Sequence, residues 1–167
     1  MSLHVILDGY NVLLRWGGFR EKMQEGGIED GRRRLVQFLE VQRPQGSLRN
    51  RVTVVFDGRS QVVGNWRQPQ SRMVRVLFSQ DEPADEQIVR MVGQEEAPSQ
   101  VVVVTDDRPL AARVRQFGAK IVSVREFMQK KRQAMKSNPV VSEDYGGLDS
   151  AEARKITEEL AKRWLVQ

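Results

Sequence analysis

The chain has 167 residues, 40% of them hydrophobic, enough for one core of ordinary size and too few for two comfortable domains. It has no cysteine, which excludes disulfides, thiol nucleophiles and cysteine-ligated zinc, and a single histidine, His4, which excludes a histidine-based triad or a histidine-rich metal centre. Lysine and arginine outnumber aspartate and glutamate by 27 to 22, for a net charge of +5, and no apolar run approaches the ~20 residues that span a bilayer. With a strand at once in place of a leader peptide, the expectation is a soluble, cytoplasmic protein with no membrane partner.

Strand-like runs alternate with helix-like ones, the pattern of a parallel sheet with crossover helices. The first strand is Leu3-His4-Val5-Ile6-Leu7, ending at Asp8, and Asp8-Gly9-Tyr10-Asn11 reads as the loop that leaves it. The stretch from there to Gly27 has no decisive period. A helix is predicted from about Glu29 to Arg43, with Leu35, Phe38 and Leu39 on one face and Pro44-Gln45-Gly46 ending it. Strand two is Arg51 to Phe56, Gly58 to Arg72 reads as a long exposed loop, and strand three is Met73 to Phe78. The next helix starts near Pro83, a favoured first-turn residue, and carries Ile88, Val89, Met91 and Val92. Strand four is Val101 to Thr105, followed by a helix with Leu110, Ala111, Val114 and Phe117 that Gly118 closes. Strand five, Lys120 to Val124, leads into a basic helix to about Lys136. Turn residues from Ser137 to Gly147 predict a linker, and Ile156, Leu160 and Trp164 share one face of a helix over about Ser150 to Leu165. The expected division is one domain over 1–136 and a linker with an amphipathic helix over 137–167.

Strands one, two and four are continuously apolar and read as central, whereas Arg75 in strand three and Lys120 and Ser123 in strand five mark edges. The simplest right-handed order is 3-2-1-4-5, with its switch point between strands one and four. An acid follows each central strand: Asp8, Asp57 and the pair Asp106-Asp107. These carboxylates gather at one end of the sheet, and Asp81-Glu82-Pro83-Ala84-Asp85-Glu86 opens a helix that can join them. Ile88, Val89 and Val92 follow Asp85 at helical spacing, which aims Asp85 along the core-facing stripe with Glu86 beside it as a further candidate ligand. Asp81 and Glu82 are explained by the preference of helix N-termini for acids. One of Asp106 and Asp107 is expected to cap the following helix, and two in succession exceed what a cap requires. Carboxylates that converge without lysine or histidine partners call for a hard divalent cation, Mg²⁺ or Mn²⁺. Gly9 allows close backbone approach, and Asn11 is placed either to bind a phosphate oxygen or to hold Asp8.

A basic surface around such an acidic pit suits a phosphodiester substrate. The segment with Arg59, Asn65, Trp66, Arg67, Gln68, Gln70 and Arg72 mixes guanidiniums, amides and an aromatic ring, the set used for phosphates and unstacked bases. Arg32, Arg33 and Arg34 fall near a helix N-terminus, where the helix dipole disfavours cations, and hint at an external anion. Lys130, Lys131 and Arg132 read as a solvated helix face.

Together Ile6-Leu7-Asp8-Gly9-Tyr10-Asn11, Val54-Val55-Phe56-Asp57, Glu82-Pro83-Ala84-Asp85-Glu86 and Val104-Thr105-Asp106-Asp107 resemble the NYN branch of the PIN-like nucleases, most closely the YacP-like proteins of bacteria, over about residues 3 to 133. The resemblance implies a three-layer α/β/α PIN-like domain and a Mg²⁺- or Mn²⁺-dependent endoribonuclease acting on single-stranded RNA, with messenger RNA at the ribosome as a further expectation. Carried over, the first acid is Asp8 with Asn11 beside it, the second is Asp85, and the third lies in Thr105-Asp106-Asp107. The family's usual Thr-Ser-Asp makes Asp107 the natural match and Asp106 an extra charge. Two other classes compete: a phosphoryl-accepting receiver domain, which needs its acidic pair after strand one, and an RNA-binding module with a degenerate site.

Overall fold

A computed structural model of the chain describes residues 2–58 and 73–129. Five parallel strands form one sheet, β1 (His4–Asp8), β2 (Arg51–Phe56), β3 (Val74–Phe78), β4 (Val101–Val104) and β5 (Lys120–Val122), in the order β3-β2-β1-β4-β5. This is the order that strand polarity predicts, with Arg75 and Lys120 exposed on the two edge strands. Helices α1 (Gly9–Arg15), α2 (Gly17–Gln42), α3 (Ala84–Gln94) and α4 (Arg108–Arg115) connect the strands.

Alternation along β1 divides the core into the two faces of an α/β/α sandwich. Val5 and Leu7 pack with Val12, Leu13, Leu35 and Leu39 of α1 and α2, while Ile6 packs with Ile88 and Val92 of α3 and Leu110 and Val114 of α4. Parallel register sets Asp8 beside Val55 and Leu7 beside Val104, so every strand points its C-terminal end to the same side.

No loop follows the first strand. Helix α1 begins at Gly9, directly after Asp8, because Gly9 lets the helix lie on β2. A Cβ at Gly9 would stand 2.4 Å from two ring carbons of Phe56 and 3.0 Å from the Val55 carbonyl oxygen. Gly9→Ala is therefore expected to overpack this junction and cost about 1–3 kcal/mol, read as a lowered urea midpoint at unchanged slope. A midpoint within error of wild type would show that α1 can shift freely.

The undecided stretch before Gly27 is helical too. Helix α2 runs through it and is broken only at Gly27, whose left-handed φ of 77° interrupts the helical turn. Residues after this break match the expected helix, which ends where Arg43 adopts φ 49°. Strand β5 is shorter than predicted: the Val124 N–H donates to the Asp106 carboxylate at 3.1 Å, and Ser123 accepts from the Glu126 N–H at 3.1 Å. Ser123 thus starts the next helix, whose described part spans 124–129. Helix α4 stops at Arg115, and Phe117, expected on its buried face, is 45% exposed and lies over Gly93.

His4 is buried at the N-terminal end of β1, bonded to Glu95 through Nδ1 (2.5 Å) and to Thr53 through Nε2 (2.9 Å). Burial, opposed by the Glu95 bond, lowers its pKa from 6.5 and favours the neutral ring. It lies at the far end of β1 from Asp8, about 13 Å away at ~3.3 Å per residue, so no histidine reaches the acidic end. Among the described residues no helix is long and apolar enough to cross a membrane.

Candidate metal centre

Asp8 closes β1 and occupies the N-cap position of α1. One oxygen accepts from the Thr105 hydroxyl at 3.4 Å, and the Asn11 backbone N–H donates to the carboxylate. Asn11 in turn uses its side chain to accept from the Asp106 N–H at 2.8 Å, tying α1 to the end of β4. The Asn11 side chain thus holds the end of β4 rather than Asp8 itself.

Thr105 is the residue that motif reading undervalued. Its hydroxyl oxygen accepts from the Asp107 N–H at 3.1 Å while the hydroxyl faces Asp8, so one buried side chain spans two acids. Asp107 caps α4, accepting from the Leu110 N–H at 2.9 Å through Oδ1. Asp106 turns the other way and fastens Val124. The two neighbouring aspartates thus differ in direction: Asp106 faces β5, and Asp107 remains close enough to Asp8 to act on its ionisation.

Asp8 has a pKa raised from 3.8 to about 6. Burial is the main cause; the Asn11 and Thr105 bonds oppose it, and the charges of Asp107 and Asp85 add to it. Asp8, Asp85 and Asp107, drawn from three separate elements, therefore share one electrostatic neighbourhood. Their donors are carboxylate oxygens, the chemistry that fits Mg²⁺ or Mn²⁺. Among the described residues, however, no three acids or histidines are drawn tight enough to form a ready coordination sphere. The acids are grouped by field rather than by contact.

The other expected ligands have partners. Glu86 makes a two-pronged pair with Arg113 of α4, both contacts at 2.7 Å, which holds its pKa below the ordinary carboxyl value. Asp57 is exposed and accepts from Ser79 at 3.0 Å, joining the ends of β2 and β3, and it is absent from the charges that act on Asp8.

The expected RNA contacts fall into two groups. Arg59, Trp66, Arg67 and Arg72 lie outside the described residues, as do the linker and the helix carrying Trp164. Arg32 is buried, 6% exposed, with its guanidinium 5.0–5.4 Å from the ring centroids of Tyr10, Phe56 and Phe78 and a bond to the Tyr10 hydroxyl. It therefore faces the core at the foot of α1, not an external anion, because the three rings and the Tyr10 hydroxyl take up its guanidinium. Arg33 and Arg34 both pair with Asp30, Arg33 at 2.8 Å.

A receiver domain does not fit this architecture. Its sheet runs 2-1-3-4-5, whereas here β1 lies between β2 and β4 and a single acid follows it.

Comparison with known proteins agrees with the geometry. The profile of the YacP-like NYN domain matches residues 5–165. The crystal structure of Rae1 (YacP) from Bacillus subtilis superposes with a TM-score of 0.64 at 26% identity, covering 98% of this chain and 86% of that one. A single-substitution mutant of the same protein gives a TM-score of 0.63 at 26% identity, over 96% and 87%. No curated protein sequence matches. With this sheet order and these acids, the chain belongs to the YacP-like NYN domain family, whose fold is nuclease-like and RNA-related.

Proposed function

We propose that the chain is a divalent-metal-dependent endoribonuclease that hydrolyses single-stranded RNA at the acidic end of its sheet. The observation that supports this reading most is Asp8: a half-buried carboxylate, raised to about 6 with Asp85 and Asp107 adding to the effect, at the switch point of a parallel sheet. Asp8, Asp85 and Asp107 would hold Mg²⁺ or Mn²⁺. Such a cation lowers the pKa of water and offsets charge on the scissile phosphate, supplying chemistry that no histidine here can supply. Asn11 and Thr105 keep Asp8 and the β4 end aligned, while Asp107 positions itself by capping α4. Messenger RNA on the ribosome, as the setting of the substrate, comes with the family likeness alone.

Labelled single-stranded RNA incubated with the protein in Mn²⁺ and in EDTA tests the proposal. Cleavage confined to Mn²⁺ is expected. The open spacing of the acids favours a second reading, an RNA-binding module without catalysis, which would bind equally in both buffers and leave the RNA whole.

The arginines of the 59–72 segment supply a further expectation. Replacing Arg59, Arg67 and Arg72 together with glutamine should weaken RNA binding and flatten its salt dependence, because each lost phosphate contact releases fewer counterions. An unchanged slope of log K against log salt would assign the segment no part in the grip.

A further inference from the structure

Two arginines stand beside the acids without a partner. Arg108 follows Asp107 at the start of α4, and Arg125 follows Val124, whose N–H is bonded to Asp106. Both are exposed, and among the described residues neither guanidinium makes a hydrogen bond or an ion pair. Asp107 spends Oδ1 on the Leu110 N–H and Asp106 spends an oxygen on the Val124 N–H, and neither pairs with the arginine near it. Arg33, Arg51, Arg90 and Arg113, by contrast, are paired with Asp30, Glu95, Glu82 and Glu86.

Helix stability does not account for the two. Each lies in the first turn of its helix, where the dipole disfavours a cation: Arg108 is the first residue of α4, and Arg125 is the second residue after the Ser123 cap. Core packing does not account for them either, since neither is buried.

Parallel pairing brings them to one place. Val104 of β4 lies beside Val122 of β5, and the Thr105 N–H donates to the Val122 carbonyl at 3.2 Å, so the segments 105–108 and 123–125 leave the sheet side by side. The end of β5 is two strand spacings, about 10 Å, from the end of β1 that carries Asp8. The other side of the acids has the opposite charge. At the ends of β2 and β3, Asp57 and Asp81 are exposed, and Arg90 is taken by Glu82. A polyanion with its scissile phosphate at Asp8, Asp85 and Asp107 therefore meets unpaired cations as it runs towards β4 and β5.

We infer that Arg108 and Arg125 each hold a phosphate of the RNA strand beside the scissile one, so that the strand leaves the acids over the ends of β4 and β5. The inference rests on the RNA reading of the acidic site. A guanidinium grips phosphate oxygens whatever the base attached, so these residues supply affinity and direction and no sequence preference. They are binding residues and take no part in activating water.

The test compares the full chain as wild type, as Arg108→Gln with Arg125→Gln, and as Arg49→Gln with Lys120→Gln. The last pair are exposed cations at the opposite end of the sheet, and their loss lowers the net charge equally. Binding of fluorescent oligo(U) in EDTA is followed against KCl concentration. The first double variant is expected to bind about tenfold more weakly at ~0.1 M salt and to lose about 1.4 from the slope of log K against log salt, two phosphates at about 0.7 each for a single strand, while the second keeps most of its slope. Neither arginine at the acidic end has a partner to lose, so the first variant should melt with wild type. In Mn²⁺ it should raise KM for cleavage and keep kcat within about twofold, the mark of lost binding rather than lost chemistry. An unchanged slope in the first variant, or an equal loss in both, overturns the inference. A lost slope without Mn²⁺-dependent cleavage keeps the grip and removes the nuclease reading; cleavage with an unchanged slope removes only the grip.

Discussion

Replacing Asp8, Asp85 or Asp107 singly with asparagine is expected to lower Mn²⁺-dependent RNA cleavage by at least about 100-fold, since each change removes one carboxylate charge from a site built on three. Asparagine keeps the shape and an acceptor oxygen. In Asp8→Asn the new amide oxygen can still accept from Thr105, and in Asp107→Asn the amide caps the Leu110 N–H as well as the carboxylate does. Loss of activity would thus report charge rather than unfolding, which a circular-dichroism spectrum checks. Asp106→Ser and Glu86→Gln should stay within about tenfold of wild type, because Asp106 serves Val124 and Glu86 serves Arg113. Activity within tenfold in any one of the three asparagine variants would remove that residue from the site.

In metal-free buffer the same Asp8→Asn change is expected to stabilise the protein above pH 6. The folded carboxyl has a pKa raised from 3.8 to about 6, so between these values the folded state keeps a proton that the unfolded chain has released. Stability from this group is complete below pH 3.8 and falls as pH rises through 6. Wild type should lose roughly 3 kcal/mol across that window relative to the variant, an order-of-magnitude figure from about 1.4 kcal/mol per pH unit of displacement. Urea unfolding of both proteins from pH 4 to pH 8 measures it. A variant less stable than wild type at pH 7.5, by an amount that does not vary with pH, would mean that Asp8 acts as a simple structural acceptor.

Sheet order and the acidic end were legible because they depend on period and polarity: continuous valines mark buried strands, and Arg75 and Lys120 mark edges. Helix α1 was not, since Asp-Gly-Tyr-Asn is turn-like by composition and only the contact of Gly9 with Phe56 shows why a helix starts there. Arg32 was not legible either. The basic run does follow a break in the helix at Gly27, but Arg32 turns inward onto three aromatic rings that the chain keeps at the ends of separate segments. The neighbouring aspartates 106 and 107 have the same chemistry, so only the partner N–H groups of Val124 and Leu110 separate their roles.

The claim that Asp8, Asp85 and Asp107 form one metal centre is tested most directly by the melting temperature of metal-stripped protein titrated with Mn²⁺, for wild type and the three asparagine variants. An ion that binds only the folded state stabilises it by RT ln(1 + [L]/Kd), about 2.7 kcal/mol at a hundredfold excess over Kd. Wild type is predicted to gain several degrees with saturating Mn²⁺, and each variant to gain less at the same concentration. Equal shifts in all four proteins, or no shift in wild type, would contradict the account.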